Sequence, residues 1–114
     1  MPNTLTLDEY QAGAEATFIV EKSKMEYLIL GLLSESGEVA DKFKKLIRDR
    51  EGDIDDLTYD DRIAVGKEIG DVLWYTAVLA AHLHFDLSSI AEMNLRKLDR
   101  RMQMDLIKGS GDDR

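Results

Sequence analysis

Apolar residues recur at intervals of three and four along most of the chain, and no run of alternating β-branched residues bounded by turn signals interrupts them. The strongest stripe is Met25, Leu28, Ile29, Leu32, Val39, Phe43, Leu46 and Ile47, one face of a long helix ending near Arg48. Another, Val65, Ile69, Val72, Leu73, Leu79 and Leu83, continues to about His84 and starts behind Thr58, with Asp61 three residues on. Two further helices are marked by capping boxes, in which a hydroxyl accepts from the third free amide and an acid reaches back. Thr6 with Glu9 opens a first helix from about Leu7 to Glu21, and Ser89 with Glu92 opens a last one through Ile90, Met93, Leu98, Arg101 and Met102 to about Met104. The closing residues Gly109-Ser110-Gly111-Asp112-Asp113-Arg114 are not helical. The expected fold class is all-α, a four-helix bundle in one domain over residues 1–114, with an acidic linker at 49–61 and a tail at 105–114.

Two segments are apolar on nearly every side, Leu28–Leu33 and Val72–Leu83, and a helix that is hydrophobic all round is buried all round. A chain of 114 residues buries only about two-thirds of its unfolded surface by itself. The bundle is therefore expected to be completed by dimerisation. The longest apolar stretch, Val72–Leu83, includes Tyr75, Thr76 and His82 and falls short of the roughly 20 residues of a membrane span. Met1-Pro2-Asn3-Thr4 has no basic segment leading into an apolar one, so the expected location is cytoplasmic. The absence of cysteine removes disulfides, thiolate metal sites and thiol nucleophiles. A net charge of −8 opposes binding to nucleic acid, although residues 94–114 carry six bases against four acids.

The acids with candidate chemistry lie where the stripes meet. Glu35 and Glu38 stand three apart on the second helix, Glu68 and Asp71 three apart on the third, so each pair shares a helical face. At 100° per residue, Glu35 borders the stripe of Leu32 and Val39, and Glu68 falls beside Val72, Tyr75 and Leu79. Four partly buried carboxylates repel one another and need cations or protons to be tolerable. An all-oxygen set selects a hard cation, Mg²⁺ or Mn²⁺, and a carboxylate-held Mg²⁺ completes its coordination with waters and substrate phosphates. The Glu-x-x-His pattern of di-iron bundles is absent, and His82 and His84 sit on different faces. Gly37 and Gly70 lie inside the two acidic pairs and point to a close approach by another helix or a ligand. On the last helix Asn94, Lys97 and Arg101 form one face able to meet a phosphate chain or base, and Trp74 or Tyr75 can stack on a base.

These residues carry a resemblance. Leu30 to Asp41, reading LGLLSESGEVAD, and Glu68 to Tyr75, reading EIGDVLWY, resemble the MazG-type nucleotide pyrophosphohydrolases. The similarity extends to Leu7–Gln11, Asn94–Leu98 and the closing Gly109–Arg114, and so covers nearly the whole chain except the acidic linker. It implies an all-α fold assembled as a homodimer or dimer of dimers that cleaves a nucleoside or deoxynucleoside triphosphate between the α and β phosphates. The products are the monophosphate and pyrophosphate and the cofactor is Mg²⁺; the purpose is open between house-cleaning of nucleotide pools, protection against misincorporation and nucleotide signalling. By resemblance, Glu35, Glu38, Glu68 and Asp71 are metal ligands, and Asn94, Lys97 and Arg101 contact base, sugar or phosphates. Tyr75 is a candidate for the base, and Lys108 or Arg114 for folding over bound phosphates. Many relatives have a further Glu where this chain has Ser34, which leaves the general base to either Glu35 or Glu38. Alternative readings are phosphoribosyl-ATP pyrophosphatase, which shares fold and carboxylates, and a non-catalytic helical dimerisation or regulatory module.

Overall fold

The computed structural model describes residues 4–104 and 109–112, and among them every regular element is a helix. The order is α1 (Leu7–Glu15), α2 (Lys24–Asp49), α3 (Tyr59–His82) and α4 (Leu87–Gln103). Helices α2 and α3 form a long antiparallel hairpin, since Gly31 meets Tyr75 near one end while Lys42 pairs with Glu68 further along. Helix α1 lies on α3, and α4 touches α1 and α3 but not α2.

The start of α3 follows the pattern. Thr58 Oγ1 accepts from the Asp61 amide at 3.1 Å and Asp61 Oδ2 accepts from the Thr58 amide at 2.9 Å, a complete capping box. Asp61 also pairs with Arg50 at 2.5 Å, tying the start of α3 to the end of α2. The connection between these helices is residues 50–58, because helix takes up both ends of the expected linker. It leaves α2 through Glu51 and Gly52 at positive φ, where the Gly52 amide donates to the Ile47 carbonyl at 2.8 Å.

Two boundaries depart from the sequence expectation. Helix α1 stops at Glu15 rather than Glu21. The residues beyond include β-branched Thr17, Ile19 and Val20, and Thr17 Oγ1 donates back to the Ala14 carbonyl at 2.8 Å while accepting from Trp74 Nε1–H at 2.8 Å. That anchor turns Phe18 into an aromatic cluster, 6.0 Å from the Trp74 ring and 5.2 Å from His82. Helix α4 starts at Leu87, so Ser89 lies inside its first turn and the Ser89–Glu92 box does not form. Asp86 is the N-cap but makes no side-chain cap bond. The free amides of Leu87 and Ser88 are taken by α1 instead, through Gln11 Oε1 at 2.9 Å and Asp8 Oδ1 at 2.9 Å.

The core of one protomer is small. Ala14, Leu28, Ala77, Val78, Ala80 and Leu87 are buried, with Tyr10, Phe18, Trp74, Tyr75, Leu79 and Ile90 packed against them. Of the segment Leu28–Leu33 only Leu28 is fully enclosed, while Leu30 and Leu33 keep about two-thirds of their surface exposed (66% and 67%). The radius of gyration is 17.2 Å, against about 13 Å for a compact domain of this length. The helices thus present a broad apolar face that a single chain does not cover.

Candidate metal and nucleotide site

Packing α2 against α3 brings the acids together. Glu35 comes from α2, and Glu68 and Asp71 come from successive turns of α3. One carboxylate oxygen of each lies within 4.8 Å of the others, the spacing of ligands around a single cation. Glu35 and Glu68 are half-buried and Asp71 is exposed, so the cluster opens outward. Glu38 lies one turn further along α2, exposed and outside this set of three, yet near enough for its charge to act on Glu35.

The acids strain one another electrostatically. The Glu35 carboxyl is pushed above the usual carboxylate range, first by burial and then by the charges of Asp71, Glu68 and Glu38. Among the described residues, Lys42 Nζ, 3.9 Å from Glu68 Oε1, is the cation paired with the cluster, a weak offset for three carboxylates. Oxygen donors alone, arranged at ligand spacing and short of positive charge, fit a hard divalent cation.

Tyrosines flank the cluster. Tyr75 stands one turn beyond Asp71, and its hydroxyl is pushed up to about 12 by its hydrogen bond with Tyr27, by burial, and by the charges of Tyr27, Glu35 and Asp71. Tyr10 of α1 is also raised, by burial and by Asp71. A phenol in this position stays neutral and remains a hydrogen-bond donor. Lys42 and Tyr27 carry no motif of their own, and Tyr10, though within the Leu7–Gln11 segment, carries no spacing that points to the site; only the α2–α3 and α1–α3 packing places them here. Trp74, by contrast, is committed to Thr17 and to the rings of Phe18 and Tyr75.

No described residue of this chain makes the close approach expected at Gly37 and Gly70, where an added Cβ meets nothing within 4 Å. It occurs at Gly31, where an added Cβ would overlap the Tyr75 ring. That contact sits one turn from the Glu35–Asp71 approach on both helices and sets the separation of the acids. Neither histidine joins the site. His82 packs on Phe18 with Nδ1 3.0 Å from the Val78 carbonyl, and His84 takes the positive φ (64°) that ends α3.

The basic face of α4 forms in part. Lys97 and Arg101 converge, but on Asp112 of the tail, whose carboxyl they hold below the usual range, Lys97 contributing most. Asn94 is exposed and takes no part in that contact. Lys108 and Arg114 lie outside the described residues.

Residues 23–104 match the family described as the MazG nucleotide pyrophosphohydrolase domain. Over 115 aligned positions the chain is 40% identical to the Gene 37 protein of Mycobacterium phage L5, covering 95% of this chain and 98% of that protein. No solved structure matches.

Proposed function

Because the chain belongs to the MazG nucleotide pyrophosphohydrolase domain family, we propose that it hydrolyses nucleoside or deoxynucleoside triphosphates between the α and β phosphates, releasing the monophosphate and pyrophosphate. The observation that carries this reading is the gathering of Glu35, Glu68 and Asp71 at ligand spacing on two packed helices. These three residues would hold the cation, Mg²⁺ by preference and Mn²⁺ as a substitute. When bound, it supplies charge stabilisation for the phosphates and orients them for in-line displacement.

With Glu35 in the ligand set, Glu38 is left as the carboxylate to take a proton from the attacking water. It projects from the next turn of the same helix and is exposed. Water adds to the α-phosphorus, the bond to the bridging oxygen breaks, and pyrophosphate leaves with the electron pair. Tyr10 would donate a hydrogen bond as a neutral phenol at the rim, and Tyr75, held by Tyr27, would lie toward the base or sugar. Lys97, Arg101 and Asn94 would contact phosphates and nucleoside from the α4 face. Since α4 does not touch α2, this arrangement fits a homodimer or dimer of dimers in which the uncovered faces of α2 and α3 meet a second copy. Residues 1–114 then act as a single domain.

Incubation with a panel of ribo- and deoxynucleoside triphosphates, with Mg²⁺ and with EDTA, tests the reading. Metal-dependent monophosphate and pyrophosphate are the expected products. Release of orthophosphate, or no turnover of any triphosphate, refutes it.

A further inference from the structure

Gly111 and Asp112 make a specific contact with α4. Lys97 Nζ lies 3.1 Å from Asp112 Oδ1, and Arg101 Nη2 lies 3.4 Å from the same oxygen. Arg101 Nη2 also donates to the main-chain carbonyls of Gly111 at 3.2 Å and Asp112 at 2.8 Å. The turn is built on Gly109 and Gly111 at φ 120° and 86°, values that side-chain-bearing residues rarely adopt.

The two partners of this contact differ in how firmly they are held. The Arg101 side chain is 6% exposed, whereas that of Asp112 is 83% exposed. Among the described residues, the bonds Arg101 makes to the tail run through Nη2, and its Nε is buried with no hydrogen-bond partner. A guanidinium presents Nε and Nη2 as one edge for two oxygens of an oxyanion. Residues 109–112 engage the Nη2 half of that edge and leave the Nε half without a partner among the described residues.

We infer that residues 109–112 form a displaceable strap, with the Asp112 carboxylate seated between Lys97 and Arg101 as an internal stand-in for a phosphoryl group that a bound polyphosphate replaces. The inference rests on the proposed role of Lys97 and Arg101 as phosphate contacts, and it adds an autoinhibitory device to that site. A phosphoryl group carries enough oxygens to meet Lys97 and both nitrogens of the Arg101 edge, which one carboxylate oxygen does not. Asp112, mostly in water, loses little by leaving.

The test is calorimetric titration of the full-length chain with inorganic tripolyphosphate, which has no base or sugar to complicate the contact. Asp112→Asn should bind it about threefold more tightly, the scale of one solvent-exposed ion pair. Gly111→Ala, which strains the turn without touching any charge, should act in the same direction. Lys97→Ala should weaken binding, and in its presence the gain from Asp112→Asn should shrink. Unchanged or weaker binding by both tail variants, with Lys97→Ala still weakening it, overturns the strap and leaves the phosphate contact standing. Binding insensitive to Lys97→Ala removes the phosphate contact and the strap together.

Discussion

The ring of Tyr75 lies across Gly31, at a place where α2 has no side chain to hold α3 away. Four residues along each helix, Glu35 and Asp71 reach ligand spacing. The glycine is therefore part of the site's geometry, although it contributes no functional group. Gly31→Ala should push Tyr75 off its seat and destabilise the fold by about 1–3 kcal/mol, the usual cost of overpacking. Gly66→Ala, where an added Cβ meets nothing within 4 Å among the described residues, should instead gain up to about 1 kcal/mol from helix propensity. Urea denaturation of both variants distinguishes the two effects, and equal shifts would mean that the Tyr75 contact is slack.

Gln11 joins three elements with one buried amide. Its Nε2 donates to the carbonyls of Ala77 and Phe85, both at 3.0 Å, and its Oε1 accepts from the Leu87 amide at 2.9 Å. Gln11→Leu keeps the volume and removes all three bonds, leaving polar groups buried at the α3–α4 corner. The expected loss is about 2–4 kcal/mol in chemical denaturation. A loss below half a kilocalorie would show that water replaces the side chain.

Gln11 also marks the limit of what the sequence makes legible. The four helices, their all-α class and the Thr58 capping box follow from local spacing, because the bonds and the apolar faces involved are set by residues a few positions apart. The end of α1 and the start of α4 do not, since they depend on Trp74 reaching Thr17 and on Gln11 and Asp8 reaching α4, contacts spanning 57 to 80 residues. The same division holds at the site. Helical spacing picks out Glu35, Glu68 and Asp71, but the separation of Glu38 from them and the arrival of Tyr10 and Lys42 are products of packing. The contact of Gly111 and Asp112 with Arg101 is equally non-local, and no helical spacing announces it.

Asp8 gives the α4 start a pH dependence. Hydrogen bonds from the Ser88 hydroxyl and amide hold its carboxyl below the ordinary carboxylate value. A depressed folded-state value means that the stabilisation is fully present above the unfolded-state value, about 3.9, and is lost as pH falls through the folded-state value. The stability difference between the native chain and Asp8→Ala should accordingly be constant near neutrality and collapse in acid below that range. Thermal melts across a pH series provide the check, and a difference that does not change with pH would mean that the Ser88 contacts do not distinguish carboxylate from carboxylic acid.

Glu35 behaves in the opposite sense. Its value is raised by burial and by three neighbouring acids, so its charge opposes folding at neutral pH until a cation compensates it. In EDTA, Glu35→Gln should melt at or above the temperature of the native chain. With Mg²⁺ at a hundredfold excess over its dissociation constant, the native chain should gain about 2.7 kcal/mol by mass action, and Glu35→Gln should lose most of that gain. Calorimetric melts with and without metal are sufficient, and an unaltered Mg²⁺ response in Glu35→Gln would remove it from the ligand set.

Glu38 and Asp71 separate holding a cation from moving a proton. Asp71 belongs to the group of three whose oxygens share one position, whereas Glu38 stands outside it on the adjoining turn. Asp71→Asn should therefore lose both the Mg²⁺-induced rise in melting temperature and turnover. Glu38→Gln should keep the rise and the apparent affinity for the triphosphate, while kcat falls by about 10²–10⁴, the range of a lost general base. Helical content should be unchanged in both, because neither side chain contributes to the buried core. If Glu38→Gln abolishes the Mg²⁺ response as fully as Asp71→Asn, the fourth carboxylate is a ligand, and the proton must pass to another group.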